Sequence, residues 1–197
     1  MNDINKNLKE NGVVLTRDFF NEQEISKIRN QYDILDKKLT NREIIKEKPI
    51  IVFWKHVQGE QKRIATFDEF PSLLELIKNK IVPFVKKATN KNGEIQLLET
   101  IIFNKPAEKS NTLHWHQDVA YFPLKPNNQV AVWFPLEPVT KKGGALNYAL
   151  KSHKEGIKGS TDLHTRKPFE NEDRELIPKD PSKAGYEVRC MEMSNKD

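Results

Sequence analysis

The chain has 197 residues, which is enough for one well-packed domain and too few for two ordinary ones. Hydrophobic residues make up 37% of it and charged residues 31%, a balance typical of a folded globular protein rather than a disordered one. The formal charge is +5, from 33 Lys and Arg against 28 Asp and Glu, and the two signs are interleaved along the chain. Because the basic residues do not cluster with aromatic residues between them, the composition argues against nucleic acid as a partner.

The single cysteine, Cys190, rules out a disulfide within the chain and favours a reducing compartment. No activating partner is evident in the sequence, so we interpret Cys190 as a small core residue rather than a nucleophile. Residues 1–11 are polar, and no segment approaches the ~20 apolar residues of a membrane span. We therefore expect a cytoplasmic protein that forms one domain over residues 1–197 and has no membrane partner.

The N-terminal half predicts two helices and one strand. Asn21 and Glu24 have the spacing of a capping box, which predicts that an amphipathic helix starts there. A strand is predicted over residues 50–54, and a second helix is predicted from Phe70, with Pro83 ending or kinking it. The apolar stripe of the first helix recurs every three or four residues and consists of Ile25, Ile28, Tyr32, Leu35 and Leu39.

The C-terminal half is predicted to be mostly β. Four short apolar segments bounded by Asn, Pro, Gly and Lys are typical of strands, namely 95–103, 130–134, 145–150 and 186–193. Helices followed by strands, without regular βαβ alternation, indicate an α+β chain whose sheets pair as a sandwich or jelly roll. The polar segment 160–185 is predicted to be a long loop, a kind of segment that often carries function.

Two pairs of the form His-x-acid are candidates for metal binding, one at His116 and Asp118 and one at His153 and Glu155. On a strand, residues two apart face the same side, so either pair could offer two ligands to one metal. The second pair follows a predicted strand in a charged turn, and we interpret it as a solvated loop. The first lies among aromatic residues, where ionisable groups are costly unless a metal or partner compensates them. Imidazole and carboxylate without thiolate favour Fe(II), Mn(II) or Zn(II) over a structural zinc site.

Several short segments in register resemble the phytanoyl-CoA dioxygenase family, and together they span almost the whole chain. They are residues 11–15, 100–106, 113–123, 132–133, 143–146 and 152–154. The resemblance implies a double-stranded β-helix, a cupin-like jelly roll, with the N-terminal helices packed outside it. It also implies an Fe(II)-dependent oxygenase that uses 2-oxoglutarate as cosubstrate and hydroxylates a small organic or acyl substrate.

The resemblance assigns roles to individual residues. His116 and Asp118 match the first two iron ligands of the family, and the carboxylate favours hydroxylation because related halogenases have a small residue there. His114 lies outside the ligand triplet, and we interpret it as supporting the site or facing the substrate. The positions that bind 2-oxoglutarate in relatives match Gln117, Trp133, Lys55 and Ile101. An ordinary role remains open for three of them: Trp133 as a core aromatic, Lys55 on the surface and Ile101 in a strand core.

The family's second histidine ligand, and an Arg that binds the far carboxylate of 2-oxoglutarate, follow a Gly-Asp turn. Residues 186–193 resemble the strand before that turn, and residues 194–197 stand where the turn would be. We therefore expect the third ligand beyond Asp197 and the last strands to be missing, in either an incomplete product or a diverged protein. Such a chain would bind iron weakly, turn over little and form homo-oligomers through an exposed C-terminal sheet edge.

Two other classes of protein fit the same residues. One is a non-catalytic jelly-roll protein that binds a metal or small molecule, with His116 and Asp118 holding a structural or adventitious ion. The other is a cupin-type isomerase or hydrolase, although such barrels normally carry more histidine ligands. A response to 2-oxoglutarate together with a metal would distinguish the oxygenase from the binding protein.

Overall fold

A computed structural model describes residues 3–38, 50–55, 63–105, 113–120, 124–159 and 175–197. Three sets of predictions fall outside these residues: the one for Leu39, those for residues 121–123, and those for residues 160–174 of the predicted loop. No helix in the described ranges has the length and apolar character needed to cross a bilayer.

The first helix, α1, covers Ile4–Asn11 and was not predicted from the polar N-terminal sequence. The carboxylate of Asp3 caps it by accepting a hydrogen bond of 3.2 Å from the Lys6 N–H. At its end Gly12 adopts a φ of 77°, and its N–H donates to the Leu8 carbonyl at 2.9 Å. That left-handed conformation is the usual way for glycine to terminate a helix.

The second helix, α2, covers Glu22–Lys38 and confirms the predicted capping box. The Asn21 N–H donates to Glu24 Oε2 at 2.8 Å, and the Glu24 N–H donates to Asn21 Oδ1 at 2.9 Å. The predicted stripe faces the core, since Ile25 and Ile28 are each only 2% exposed. Local sequence signals therefore determine both where this helix starts and which face it buries.

The second predicted helix is built from three consecutive pieces. Helix α3 covers Pro71–Leu76, a π-helical turn covers Ile77–Ile81, and helix α4 covers Val82–Thr89. Of the two alternatives predicted for Pro83, an end to the helix is wrong, because α4 continues through it, and a kink stays a prediction. Proline lacks an N–H and crowds the carbonyl four residues earlier, and the wider π-helical turn just before it accommodates both. The pieces bury Leu73, Leu76, Ile77 and Ile81.

A three-stranded sheet packs against these helices. Strand β1, Ile50–Lys55, lies between β2, Arg63–Thr66, which is antiparallel to it, and β3, Thr100–Asn104, which is parallel to it. Ile51 of β1 and Phe70 are both fully buried in the core between the sheet and helices α2 and α3. Strand β1 confirms its prediction and β2 was missed.

The strand predicted over residues 95–103 forms only at its end, where β3 pairs with β1. The preceding residues have no strand partner in the structure, and Ile95, Leu97 and Leu98 are exposed. The strand predicted over residues 130–134 is also wrong, since no ladder forms there in the described part of the chain. Such segments need a neighbouring strand, and apolar sequence alone does not supply one.

The second sheet has two strands, β4 at Asn147–Ala149 and β5 at Val188–Cys190, which pair antiparallel. An isolated bridge between Val139 and Met193 extends it. Cys190 is half-buried in β5 rather than enclosed in a core. The α+β class is confirmed, but two small sheets and no closed barrel in the described residues leave the double-stranded β-helix and the mostly β half unconfirmed.

The two ends of the described chain are joined by the carboxylate of Asp197, whose side chain is 4% exposed. Arg17 Nη1 lies 2.5 Å from Oδ2, the Asp18 N–H donates to Oδ1 at 3.1 Å, and the Ser194 N–H donates to Oδ2 at 2.9 Å. Burial alone would raise the pKa of Asp197. The hydrogen bonds from Ser194, Asp18 and Arg17 outweigh that effect and lower its pKa below the ordinary value.

Replacing Asp197 should destabilise the fold in a pH-dependent way. Because the pKa of Asp197 is lower in the folded state, its contribution is present above the ordinary value of 3.8 and is lost as pH falls through the folded-state pKa. At pH 7 we expect Asp197→Asn to lower the free energy of unfolding by about 1–3 kcal/mol. The free energy of unfolding can be measured by guanidinium denaturation at a series of pH values. The difference between the variant and the wild type should shrink to nearly nothing as pH falls from 7 to about 2. Asp33→Asn, the same change at an exposed position of α2, is the matched control, and an equal loss there would contradict the assignment.

The stability of the fold should be sensitive to a single methyl group added at Gly12, the residue that ends α1. A Cβ added at Gly12 would lie 2.4 Å from Nδ1 of His153, and the φ of 77° is strained for any L side chain. We expect Gly12→Ala to lower the free energy of unfolding by about 1–2 kcal/mol or more, measured by chemical denaturation. Gly93→Ala is the matched control, because a Cβ there meets nothing within 4 Å. Equal stability of the two variants would show that the Gly12 contact is unimportant.

Candidate metal centre

The segment that carries the first His-x-Asp pair is not a strand. Residues 113–117 have no ladder partner among the residues that the structure describes, and a 3-10 helical turn begins at Asp118 and covers Asp118–Ala120. The prediction that strand alternation places the two side chains together is therefore wrong about the backbone. The side chains nevertheless meet, with His116 Nε2 3.4 Å from Asp118 Oδ1.

This separation suits two ligands of one metal ion. With metal–ligand bonds of about 2.1 Å, two donor atoms lie about 3.0 Å apart at right angles and about 3.4 Å apart at a tetrahedral angle. The His116 side chain is 28% exposed and that of Asp118 is 58% exposed, so small molecules can reach the pair. An imidazole and a carboxylate are also the donors that non-haem iron uses. The residues present thus fit an Fe(II) ion, although they supply only two ligands.

The orientation of the His116 ring is fixed by its other nitrogen. Nδ1 lies 2.7 Å from the backbone carbonyl oxygen of His114, and since a carbonyl only accepts, Nδ1 carries the hydrogen. Nε2 is thereby directed at Asp118. The hydrogen bond to Asp118 raises the pKa of His116, burial opposes the shift, and the His114 carbonyl adds to it. A backbone carbonyl behind the ring is the arrangement that orients metal-bound histidines in general.

No group of three His, Cys, Asp or Glu side chains that could hold a metal occurs among the residues that the structure describes. The second His-x-acid pair lies in a 3-10 helical turn, Ser152–Glu155, and its two side chains have different partners. His153 Nε2 lies 3.0 Å from the Lys9 carbonyl and its ring packs on Gly12, whereas Glu155 binds Lys158. These separate contacts agree with the interpretation of the second pair as a loop.

Gln117, between the two candidate ligands, contacts backbone groups of a neighbouring loop. Its Nε2 donates to the Gly156 carbonyl at 3.0 Å, and its Oε1 accepts from the Lys158 N–H at 2.8 Å. Both ends of the amide are thus hydrogen-bonded within the protein. Its predicted contact with 2-oxoglutarate stays a prediction.

The other predicted cosubstrate residues lie in different parts of the fold. Lys55 ends β1 opposite Asn104, and the half-buried Ile101 of β3 pairs with Val52 in the same sheet. Trp133 is half-buried in the extended segment that follows residue 124. His114 is exposed, and its backbone carbonyl accepts the hydrogen bond from Nδ1 of His116. The roles of all four toward 2-oxoglutarate or substrate stay predictions.

Two features near the pair were not found from the sequence. Tyr148 in β4 is half-buried, and its pKa is raised mainly by partial loss of solvation and also by the negative charge of Asp118, so its hydroxyl stays neutral. Lys158, in the loop contacted by Gln117, is buried and paired with two glutamates. Neither belongs to a recognisable motif, and Lys158 lies 41 residues from Gln117 in sequence.

A cleft of about 310 Å³ opens beside this loop rather than at the His-x-Asp pair. It contains none of the predicted site residues. Its lining consists of Leu150, Lys151, Glu155, Gly185, Tyr186 and Glu187. The chemical argument for a site therefore depends on the donor atoms of the pair and not on the shape of this cleft.

The sequence was compared with known families and proteins. The phytanoyl-CoA dioxygenase family matches residues 8–195. The peroxisomal phytanoyl-CoA dioxygenase of Homo sapiens is 25% identical over 159 residues, which cover 76% of this chain and 46% of the human protein. That of Bos taurus is 25% identical over 155 residues, covering 74% and 45%. The chain thus spans about half the length of the curated relatives it matches, and no solved structure matches it significantly. Because the family match covers nearly all of the sequence, the chain belongs to the phytanoyl-CoA dioxygenase family.

Proposed function

We propose that this chain carries part of the active site of an Fe(II)- and 2-oxoglutarate-dependent oxygenase that hydroxylates a small organic or acyl substrate. The observation that carries the proposal is the His116–Asp118 pair, with donor atoms 3.4 Å apart and the histidine oriented by the His114 carbonyl. Membership of the phytanoyl-CoA dioxygenase family supports this class of reaction. In this proposal, Gln117, Trp133, Lys55 and Ile101 border the cosubstrate.

The chain's own residues would contribute binding and orientation. Nε2 of His116 and a carboxylate oxygen of Asp118 would hold Fe(II), which supplies oxygen activation coupled to oxidation of 2-oxoglutarate to succinate and carbon dioxide. The His114 carbonyl keeps Nε2 directed at the metal position, because Nδ1 must keep its hydrogen. The neutral, half-buried Tyr148 lies near Asp118 without adding a second negative charge.

Removing either proposed ligand should weaken metal binding. We expect His116→Ala and Asp118→Ala each to reduce the affinity for Mn(II), used as an oxygen-stable substitute for Fe(II), by at least about tenfold. The affinity can be measured by the loss of the free Mn(II) signal in electron paramagnetic resonance. His153→Ala is the matched control, because it removes the histidine of the other His-x-acid pair. The ligand assignment is wrong if His153→Ala weakens binding and His116→Ala does not.

The response to 2-oxoglutarate separates the oxygenase from the rival binding protein. We expect 2-oxoglutarate to raise the melting temperature in the presence of Mn(II) beyond the rise that Mn(II) gives alone, since a ligand that binds only the folded state stabilises it. With Fe(II) and oxygen only a small amount of succinate should form, because the described residues supply two metal ligands, and Asp118→Ala should lose both effects. Asp180→Ala, an exposed acid elsewhere, should keep them. Stabilisation by Mn(II) with no added effect of 2-oxoglutarate would favour a non-catalytic protein with a structural metal.

A further inference from the structure

Gln117 connects the proposed ligands to one particular loop. The residue lies between His116 and Asp118 in sequence, and its amide forms hydrogen bonds of 3.0 Å with the Gly156 carbonyl and 2.8 Å with the Lys158 N–H. A primary amide has one donor and one acceptor group side by side, so it can pair with a backbone carbonyl and N–H at once. The side chain therefore holds this segment against the loop through a donor and an acceptor, as hydrogen bonds to a neighbouring strand would in a sheet.

The loop that receives these bonds is fixed by ion pairs between the buried Lys158 and two exposed glutamates. The Lys158 side chain is 5% exposed, and its Nζ lies 2.6 Å from Glu175 Oε2 and 2.9 Å from Glu155 Oε2. Tyr186 also donates its hydroxyl hydrogen to Glu155. The hydrogen bonds to Glu175 and then to Glu155 raise the pKa of Lys158, so it stays charged. A buried ammonium needs such partners, which restricts the positions that the loop can adopt.

Backbone contacts fix the same loop to the segment that contains Glu175. The Gly159 N–H donates to the Glu175 carbonyl at 2.9 Å, and the Ile177 N–H donates to the Gly159 carbonyl at 2.9 Å. Glu175 thus meets the loop through both its backbone and its side chain. A continuous set of contacts runs from this segment through Lys158 to Gln117 and so to the candidate ligands.

We infer that Gln117 and Lys158 are positioning residues of the metal centre: Lys158 fixes the loop, and Gln117 transmits that position to the segment bearing His116 and Asp118. The inference rests on the proposed function, because it requires that those two residues bind the metal. It assigns Lys158, Glu175 and Glu155, the acid of the second His-x-acid pair, a role in setting the separation of the two ligands. Neither positioning residue is required to touch the metal or the substrate.

The test compares Gln117→Ala, Gln117→Glu and Lys158→Met with Lys154→Met, which removes an exposed lysine from the same region. One readout is Mn(II) affinity at a temperature where every variant is folded, and the other is hydrogen exchange of the peptide covering residues 113–120 without metal. We expect Gln117→Ala to weaken Mn(II) binding by about tenfold or more, as for other residues that orient metal ligands. Exchange in the peptide should become faster, and Lys154→Met should change neither readout.

Gln117→Glu separates the two hydrogen bonds. A carboxylate can still accept from the Lys158 N–H, but it offers no hydrogen to the Gly156 carbonyl. Its Mn(II) affinity should fall between those of the wild type and Gln117→Ala. A merely structural role would lower the melting temperature of these variants without changing Mn(II) affinity in the folded protein.

A double-mutant cycle tests whether Lys158 acts through Gln117. Lys158→Met should weaken Mn(II) binding in the wild-type background and have little further effect once Gln117 is Ala, because the connection is already broken. Additive losses would overturn the transmission through Gln117, and an unchanged affinity in Gln117→Ala would overturn its positioning role. A wild-type chain that does not bind Mn(II) would instead overturn the proposed function, and this role with it.

Discussion

Two metal ligands that are neighbours in sequence act together only if the backbone between them cannot rotate. In a jelly roll a ladder of strand hydrogen bonds provides that rigidity, but residues 113–117 have no such ladder in the described structure. The constraint is met by hydrogen bonds between side chains and backbone groups. The His114 carbonyl orients one ligand ring, and the Gln117 amide bonds to both a carbonyl and an N–H of a loop. The chemistry proposed for the pair depends on these few polar contacts.

That loop is in turn tied to distant parts of the chain. The Lys151 N–H donates to the Asn11 carbonyl at the end of α1, and the Leu150 N–H donates to the Glu187 carbonyl just before β5. The close approach of the His153 ring to Gly12 adds a second contact at the end of α1. The buried helices and three-stranded sheet form a separate core. The site therefore depends on the fold mainly through the chain segments that surround this loop.

The sequence predicted what is encoded locally and missed what depends on partners. The capping box and the apolar stripe fixed α2, because both act within a few residues. The strand at 130–134 did not form, since a strand needs a neighbour that the sequence does not identify. Spacing gave two His-x-acid pairs, and the neighbouring residues and the family resemblance favoured His116 and Asp118. The structure brings their side chains together on a backbone that was not the predicted strand. The contact of Lys158 with Gln117 could not be predicted from the sequence, because the two residues are 41 positions apart.

The charge balance of the pair suits the segment both without a metal and with the proposed one. Asp118 is more than half exposed and lies near the half-buried, neutral Tyr148, so an uncompensated charge there would be held only by water. Its hydrogen bond with His116 raises the pKa of the imidazole, which favours a cation opposite the carboxylate. A divalent ion bound between the same two atoms would replace that proton and preserve the attraction. At the proposed site the proton and the metal would therefore favour the same side-chain geometry, and the hydrogen bonds of the His114 carbonyl and the Gln117 side chain need not change between the two states.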